Sequence, residues 1–301
     1  MNAPILAPAD IIAALDRAGA RHTTTSAAGE VVWRIWGAGA PLVLLHGGTG
    51  SWMHWVRNIE ALSQQFLLIV PDLPGSGESG ALVPPVTAEH MAESLLAGLS
   101  ALLPPDASFS IAGFSLGGLI AGYLAQVAGD RVDALVLVGG AGMGIARRPM
   151  KPLKSWRWLA TDEEKRDIHR QNLGILMIHD SAKVDELAVH MQEQNAVRSR
   201  VRGKHIVKTS SLAACLPHVK ARLAGIWGEH DVTSPSDLVA DRLRQFQPQA
   251  EVEIVPGAGH WVQYEAAELF NRRLPALLKA AGRPARSQPV ALPATEVTPP
   301  A

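Results

Sequence analysis

Short, almost unbroken apolar runs separated by helix-length stretches constrain this chain more than any other feature. Residues 42–45, 66–70, 108–112 and 134–138 are rich in Val, Leu, Ile and Phe and are mostly closed by Gly or Pro. Between them, residues 51–63, 87–103 and 116–128 read as helices, the second behind Pro84-Pro85 and the third ending before Gly129-Asp130. A strand with no polar face must be covered on both sides. The alternation therefore predicts an α/β fold, a mostly parallel sheet flanked by helices. The strand pattern lapses after Gly139 and resumes at residues 224–227 and 252–255. The stretch between, residues 142–211, begins with basic residues and continues as polar helical segments, so it reads as a helical insertion. Residues 1–141 and 212–282 then form one core. Residues 283–301 contain five Pro and few large apolar side chains, and read as a disordered tail.

The charge balance narrows the partners. The chain of 301 residues carries 28 Lys and Arg against 28 Asp and Glu. A formal charge of zero lacks the basic footprint of phosphate-backbone binding, which argues against nucleic acid. Residues 1–16 hold Asp10 and Asp16, no Lys or Arg and no long apolar run, so neither a signal peptide nor a membrane span is expected. Cys215 alone cannot close an intrachain disulfide, which fits a cytoplasmic location. No paired Cys or helical His spacing supports a metal site, and neither metal nor cofactor is expected. Gly75-Ser76-Gly77-Glu78-Ser79-Gly80 satisfies a dinucleotide-binding pattern, but Pro84-Pro85 stops a helix from opening there, so it fails its context. The expected partner is a small-molecule substrate, with a homodimer left open.

Three loops carry reactive side chains. Gly113-Phe114-Ser115-Leu116-Gly117 follows an apolar strand and opens an apolar helix, the setting in which a sharp turn exposes a nucleophilic Ser. A Ser hydroxyl needs a base, and the base needs an orienting acid. Asp231, in Trp227-Gly228-Glu229-His230-Asp231, follows the next strand, and His260, in Gly257-Ala258-Gly259-His260-Trp261, follows the last. The C-terminal ends of parallel strands share one crevice, so these loops can converge. His46-Gly47-Gly48 ends the first apolar strand. There the N–H of Gly48 can join that of Leu116 as an oxyanion donor, while the His46 side chain reads as a loop brace.

Taken together, the His46-Gly47-Gly48 loop, the Ser115 turn, Asp231 and His260 resemble the α/β-hydrolase superfamily in order and spacing, over about residues 30–280. The insertion matches the position of that superfamily's cap. In the insertion Val184, Leu187, Ala188, Met191, Asn195 and Arg198 fall on one helical stripe. Asn195 and Arg198 would then face the cleft, and an inward Arg198 would favour a carboxylate or enolate; a solvated, ion-paired Arg198 is the alternative.

Within the superfamily the chain is similar to the meta-cleavage product hydrolases, which break a carbon–carbon bond in ring-opened dienoic keto acids. The resemblance rests on Trp261 after His260 and on the spacing of Trp52, Arg57 and Asn58. It implies a ketonisation step before cleavage, assisted by His260 and Arg198. Phe114 and His54 stand where that group commonly has Asn, and the oxyanion loop is shorter, which leaves a carboxylic ester hydrolase open. A hydrolase-fold binding protein and a perhydrolase are further alternatives. Eight Trp against five Phe and two Tyr is an unusual balance. Trp52, Trp55, Trp156, Trp158, Trp227 and Trp261 all flank the expected cleft in sequence, predicting a bulky apolar or aromatic substrate.

Overall fold

In a computed structural model that describes residues 6–201, 206 and 212–281, the apolar runs become the centre of an eight-stranded sheet. The strands are β1 (Ala20–Ser26), β2 (Gly29–Trp36), β3 (Ala40–Leu45), β4 (Phe66–Pro71), β5 (Phe109–Phe114), β6 (Val132–Val138), β7 (Arg222–Gly228) and β8 (Glu251–Val255). Their spatial order is β1-β2-β4-β3-β5-β6-β7-β8. The strands from β4 through β8 run parallel, while β1 and β2 form an antiparallel hairpin on the β4 edge. That hairpin has no counterpart among the expected strands. Its outer member β1 is polar and mostly exposed, which weakens the apolar signal.

The helices are α1 (Pro8–Ala18), α2 (Ile59–Ser63), α3 (Ala88–Leu102), α4 (Leu116–Ala128), α5 (Asp162–Leu176), α6 (Glu186–Arg198), α7 (Leu212–Cys215), α8 (Ser236–Phe246), α9 (Val262–Glu265) and α10 (Ala267–Ala281). Residues alternating along each central strand divide the core in two. Val43, Ile111, Leu135 and Trp227 pack with α3, α4 and α8 on one face. Leu44, Ala112, Val136 and Ile226 pack with α10 and residues 52–56 on the other.

The helix expected over 51–63 is instead a 3-10 turn at Trp52–Trp55 followed by α2. Tertiary contacts override its periodicity: the Trp52 N–H donates to the Asp72 carboxylate at 2.8 Å, and Trp52, His54 and Trp55 are all buried. The insertion between β6 and β7 contains α5 and α6, packed on one another and begun by side-chain caps at Thr161 and Asp185. The expected tail, residues 283–301, lies outside the described residues, as does part of the boundary set at 211.

Candidate active site

The site is built at the C-terminal ends of β3, β5, β7 and β8. β5 runs straight into α4 with only Ser115 between them, and Ser115 adopts φ 53°, ψ −115°. That left-handed backbone costs on the order of 1–3 kcal/mol for a non-Gly residue and persists only where its surroundings fix it. Here the Ser115 N–H donates to Val138 at 2.9 Å, and its carbonyl accepts from Gly118 and Ala141, each at 3.0 Å. Side chains at positions 113 and 117 would destroy the turn. A Cβ on Gly113 would lie 2.5 Å from the Gly117 carbonyl oxygen, and one on Gly117 would lie 2.4 Å from that of His46.

The three loops converge. The Oγ of Ser115 lies 2.9 Å from Nε2 of His260, and Nδ1 of His260 lies 2.8 Å from Oδ2 of Asp231. Ser115 is half-buried, while His260 and Asp231 are buried. Burial raises the pKa of the Asp231 carboxyl, but the His260 charge and hydrogen bonds from His260 and Thr233 outweigh it, so the carboxyl stays below its usual range. Its second oxygen accepts from the Thr233 N–H at 2.7 Å and the Thr233 hydroxyl at 2.8 Å. Such an arrangement can take a proton from a hydroxyl while a buried carboxylate steadies the imidazolium that forms.

Opposite Ser115, residues 46–48 leave β3 in close contact with the turn. A Cβ on Gly47 would come 2.9 Å from the Phe114 ring, and one on Gly48 would meet Leu116 at 3.7 Å. Gly48 is exposed, and no acceptor among the described residues takes its N–H or that of Leu116. Both amides can therefore serve a developing oxyanion. Two buried imidazoles hold this loop. Nε2 of His46 accepts the Leu73 N–H at 2.8 Å, and Nδ1 of His54 accepts the Gly47 N–H at 3.2 Å. Burial pushes the His46 pKa down despite the Asp72 charge, and burial with the charges of His46 and His260 pushes His54 well down. Both rings are therefore neutral acceptors.

The other expected site residues fare differently. Phe114 and Trp261 do border the three loops: the Phe114 ring is 4.9 Å from that of His260, and the Trp261 ring is 5.0 Å from that of His54. The Trp261 indole N–H donates to the His54 carbonyl at 3.1 Å, and the ring is buried against His54 and Tyr264. Asn195 is buried, and both its amide atoms lack a partner among the described residues.

Arg198 does not share that face. Its side chain is 46% exposed and lies 3.7 Å from Glu78, beside a groove lined by Trp156, Lys165 and His169. It is the last residue of its helix, where the guanidinium reaches solvent and an anion at little cost. Trp52 packs on Trp36 beneath the Arg34 guanidinium, within the core. Trp227 belongs to the opposite face of the sheet, Trp55 packs on Phe270, and Trp158 is 89% exposed. The tryptophan excess is thus mainly a feature of the core, where indoles bury large apolar area.

Two further residues of the site, Thr233 and Glu265, stand outside the sequence motifs. Thr233 lies two residues from Asp231, a spacing that suits a side-chain bond back to the carboxylate. Glu265, which appears in sequence only as the end of the run after His260, accepts three backbone N–H groups. Among the described residues there is no group of three or more metal-ligating side chains, and no helix long and apolar enough to cross a membrane.

Comparison with known proteins bears on the fold and the family. A family model described as the alpha/beta hydrolase fold matches residues 40–267. The dihydrolipoyllysine-residue acetyltransferase component of the acetoin cleaving system of Pseudomonas putida is 32% identical over 80% of this chain; the match spans 64% of that protein, less than two thirds of it. The 2-hydroxy-6-oxononadienedioate/2-hydroxy-6-oxononatrienedioate hydrolase of Burkholderia vietnamiensis is 30% identical over 77% of this chain and 84% of its own. Among solved structures, a meta-cleavage product hydrolase from Pseudomonas fluorescens superposes with a TM-score of 0.67 at 22% identity, over 87% of this chain and 98% of that one, a likeness of fold.

Proposed function

The chain belongs to the α/β-hydrolase fold family and is a serine hydrolase, and from that premise we propose that it cleaves a carbon–carbon bond in a ring-opened dienoic keto acid. The observation that carries the hydrolytic part is the unbroken relay from Ser115 Oγ through His260 to Asp231, at 2.9 and 2.8 Å. The carbon–carbon part leans on relatives whose names carry that chemistry, such as the Burkholderia hydrolase.

In this reading the dienol first moves to its keto form by transfer of its proton to carbon. Ser115 Oγ then attacks the ketone carbon as His260 Nε2 takes the hydroxyl proton, and Asp231 stabilises the imidazolium. The N–H groups of Gly48 and Leu116 hold the oxyanion. Its collapse breaks the carbon–carbon bond, and the leaving carbon takes the proton from His260. Water, deprotonated by the same imidazole, then releases the acid from Ser115. Helices α5 and α6 act as the cap over this reaction, without metal or cofactor. A cytoplasmic location remains the expectation.

Arg198 favours a second reading. With that cation ion-paired to Glu78, the substrate's carboxylate loses its expected partner, and a neutral carboxylic ester would suffer no such loss. Offering the purified protein a short-chain aryl ester and a ring-opened dienoic acid side by side separates the two. Loss of dienolate absorbance at a kcat/KM at least about 100-fold above that for the ester, a gap of roughly 2.7 kcal/mol, is the expected result. The reverse order selects the esterase.

A further inference from the structure

We propose that Glu265 is a positioning residue that fastens the inserted helices to the loop carrying His260, an inference that rests on reading His260 as the base. Glu265 closes α9, five residues after His260, and its side chain is buried. One carboxylate oxygen accepts the N–H of Gly259 at 2.7 Å and that of His179 at 3.0 Å; the other accepts the N–H of Asp180 at 2.7 Å. Gly259 immediately precedes His260, whereas residues 179 and 180 belong to the chain leaving α5. A single buried anion thus holds the base's loop and the insertion in one register.

Three further contacts sit at the same junction. The Trp261 N–H donates to the Met177 carbonyl at 2.7 Å. Gly259 has no room for a side chain, because its Cβ would lie 2.8 Å from the His179 nitrogen and 3.1 Å from the Met177 oxygen. The His179 ring stacks at 3.7 Å on that of His230, the neighbour of Asp231. The segment 177–180 therefore presses on the loops of both the candidate base and the candidate acid. A second tether lies one residue earlier. Tyr264 donates its hydroxyl to Asp185 at 2.5 Å, Arg57 pairs with the same carboxylate, and Asp185 caps α6 by accepting the Ala188 N–H at 2.9 Å. Successive residues of one short helix therefore hold both ends of the connection between α5 and α6.

Only a carboxylate suits the first tether. Three converging N–H groups require acceptors on every side, and a carboxamide would turn its own donors toward at least one of them. Displacement of Gly259 would carry the His260 ring with it, and proton transfer depends steeply on the alignment of Nε2 with Ser115 Oγ.

The test uses the full chain with Glu265→Gln and Glu265→Asp, assayed on the better of the two substrates well below the melting temperature. Glu265→Gln should lower kcat about 10- to 100-fold while KM changes less than about threefold. It should also displace the acidic limb of the kcat/KM profile and speed hydrogen exchange at the amides of residues 179, 180 and 259. Glu265→Asp, which keeps the charge with a shorter reach, should give an intermediate kcat, and it carries the test if the Gln variant does not fold. A lower melting temperature with kcat within twofold of wild type and an unmoved pH profile in the folded variant would overturn the proposal, leaving Glu265 merely structural. His260→Ala serves as the separate control: retained turnover there would refute the base assignment itself, whatever Glu265 does.

Discussion

The corner around Ser115 and the inserted helices were both expected to supply functional side chains, yet they use theirs in opposite ways. At the corner, each reactive group has a partner at hydrogen-bond distance, from Ser115 through His260 and Asp231 to Thr233. In the insertion, two residues on one predicted stripe part company: Asn195 is buried without a partner among the described residues, and Arg198 faces solvent and Glu78. The difference teaches where chemistry can be specified locally. A strand end followed by a tight turn aims a side chain through backbone geometry alone. A residue near the end of a surface helix is aimed by whatever the helix happens to pack on.

The largest effect should fall at the corner. Ser115→Ala removes the nucleophile and should cut kcat/KM by about 10⁴-fold or more on either substrate, since members of such a relay act as a unit. Turnover close to wild type would break the comparison at its stronger end.

A smaller effect concerns the two imidazoles bracing the oxyanion loop, whose folded pKa values lie below the ordinary value of 6.5. As pH falls through about 6.5 the unfolded chain binds protons that the native state refuses. Their contribution is therefore complete above that pH and is lost toward their folded pKa, with a slope of up to about 1.4 kcal/mol per pH unit for each ring. The depressed Asp231 carboxyl acts in a different window, because its contribution is lost only as pH falls below the ordinary carboxyl value of 3.8 toward its folded pKa. Urea unfolding of wild type and His54→Asn at pH 7 and 5.5 isolates the histidines. The variant should show the smaller acid loss, and an equal loss in both would assign the effect elsewhere.

Arg198→Ala should do least. An exposed ion pair contributes at most about 1 kcal/mol, and kcat/KM for both substrates should stay within about twofold. A tenfold loss confined to the acidic substrate would erase the contrast between the two regions and return Arg198 to the cleft.

Much of the fold was legible because the central strands are apolar on both faces and mostly end in Gly or Pro. The hairpin of β1 and β2 was not, since an edge hairpin with a polar outer strand gives little apolar signal. The helix expected over 51–63 broke because the buried tryptophans and the Asp72 carboxylate dictate its path. The tryptophans as a class misled: closeness to a loop in sequence does not say on which side of the sheet an indole falls. Trp227 and Trp261 lie on opposite sides.

Local periodicity and sterics are enough to fix the parallel sheet, the order of Ser115, Asp231 and His260 along it, and the glycines that let the chain turn at Ser115. Packing of distant segments is what makes His54 a neutral brace, lets Thr233 share the Asp231 carboxylate, turns Arg198 outward, and lets Glu265 gather three amides from two distant segments. Burial and long-range hydrogen bonding depend on which segments meet, and that is settled only when the whole chain has packed.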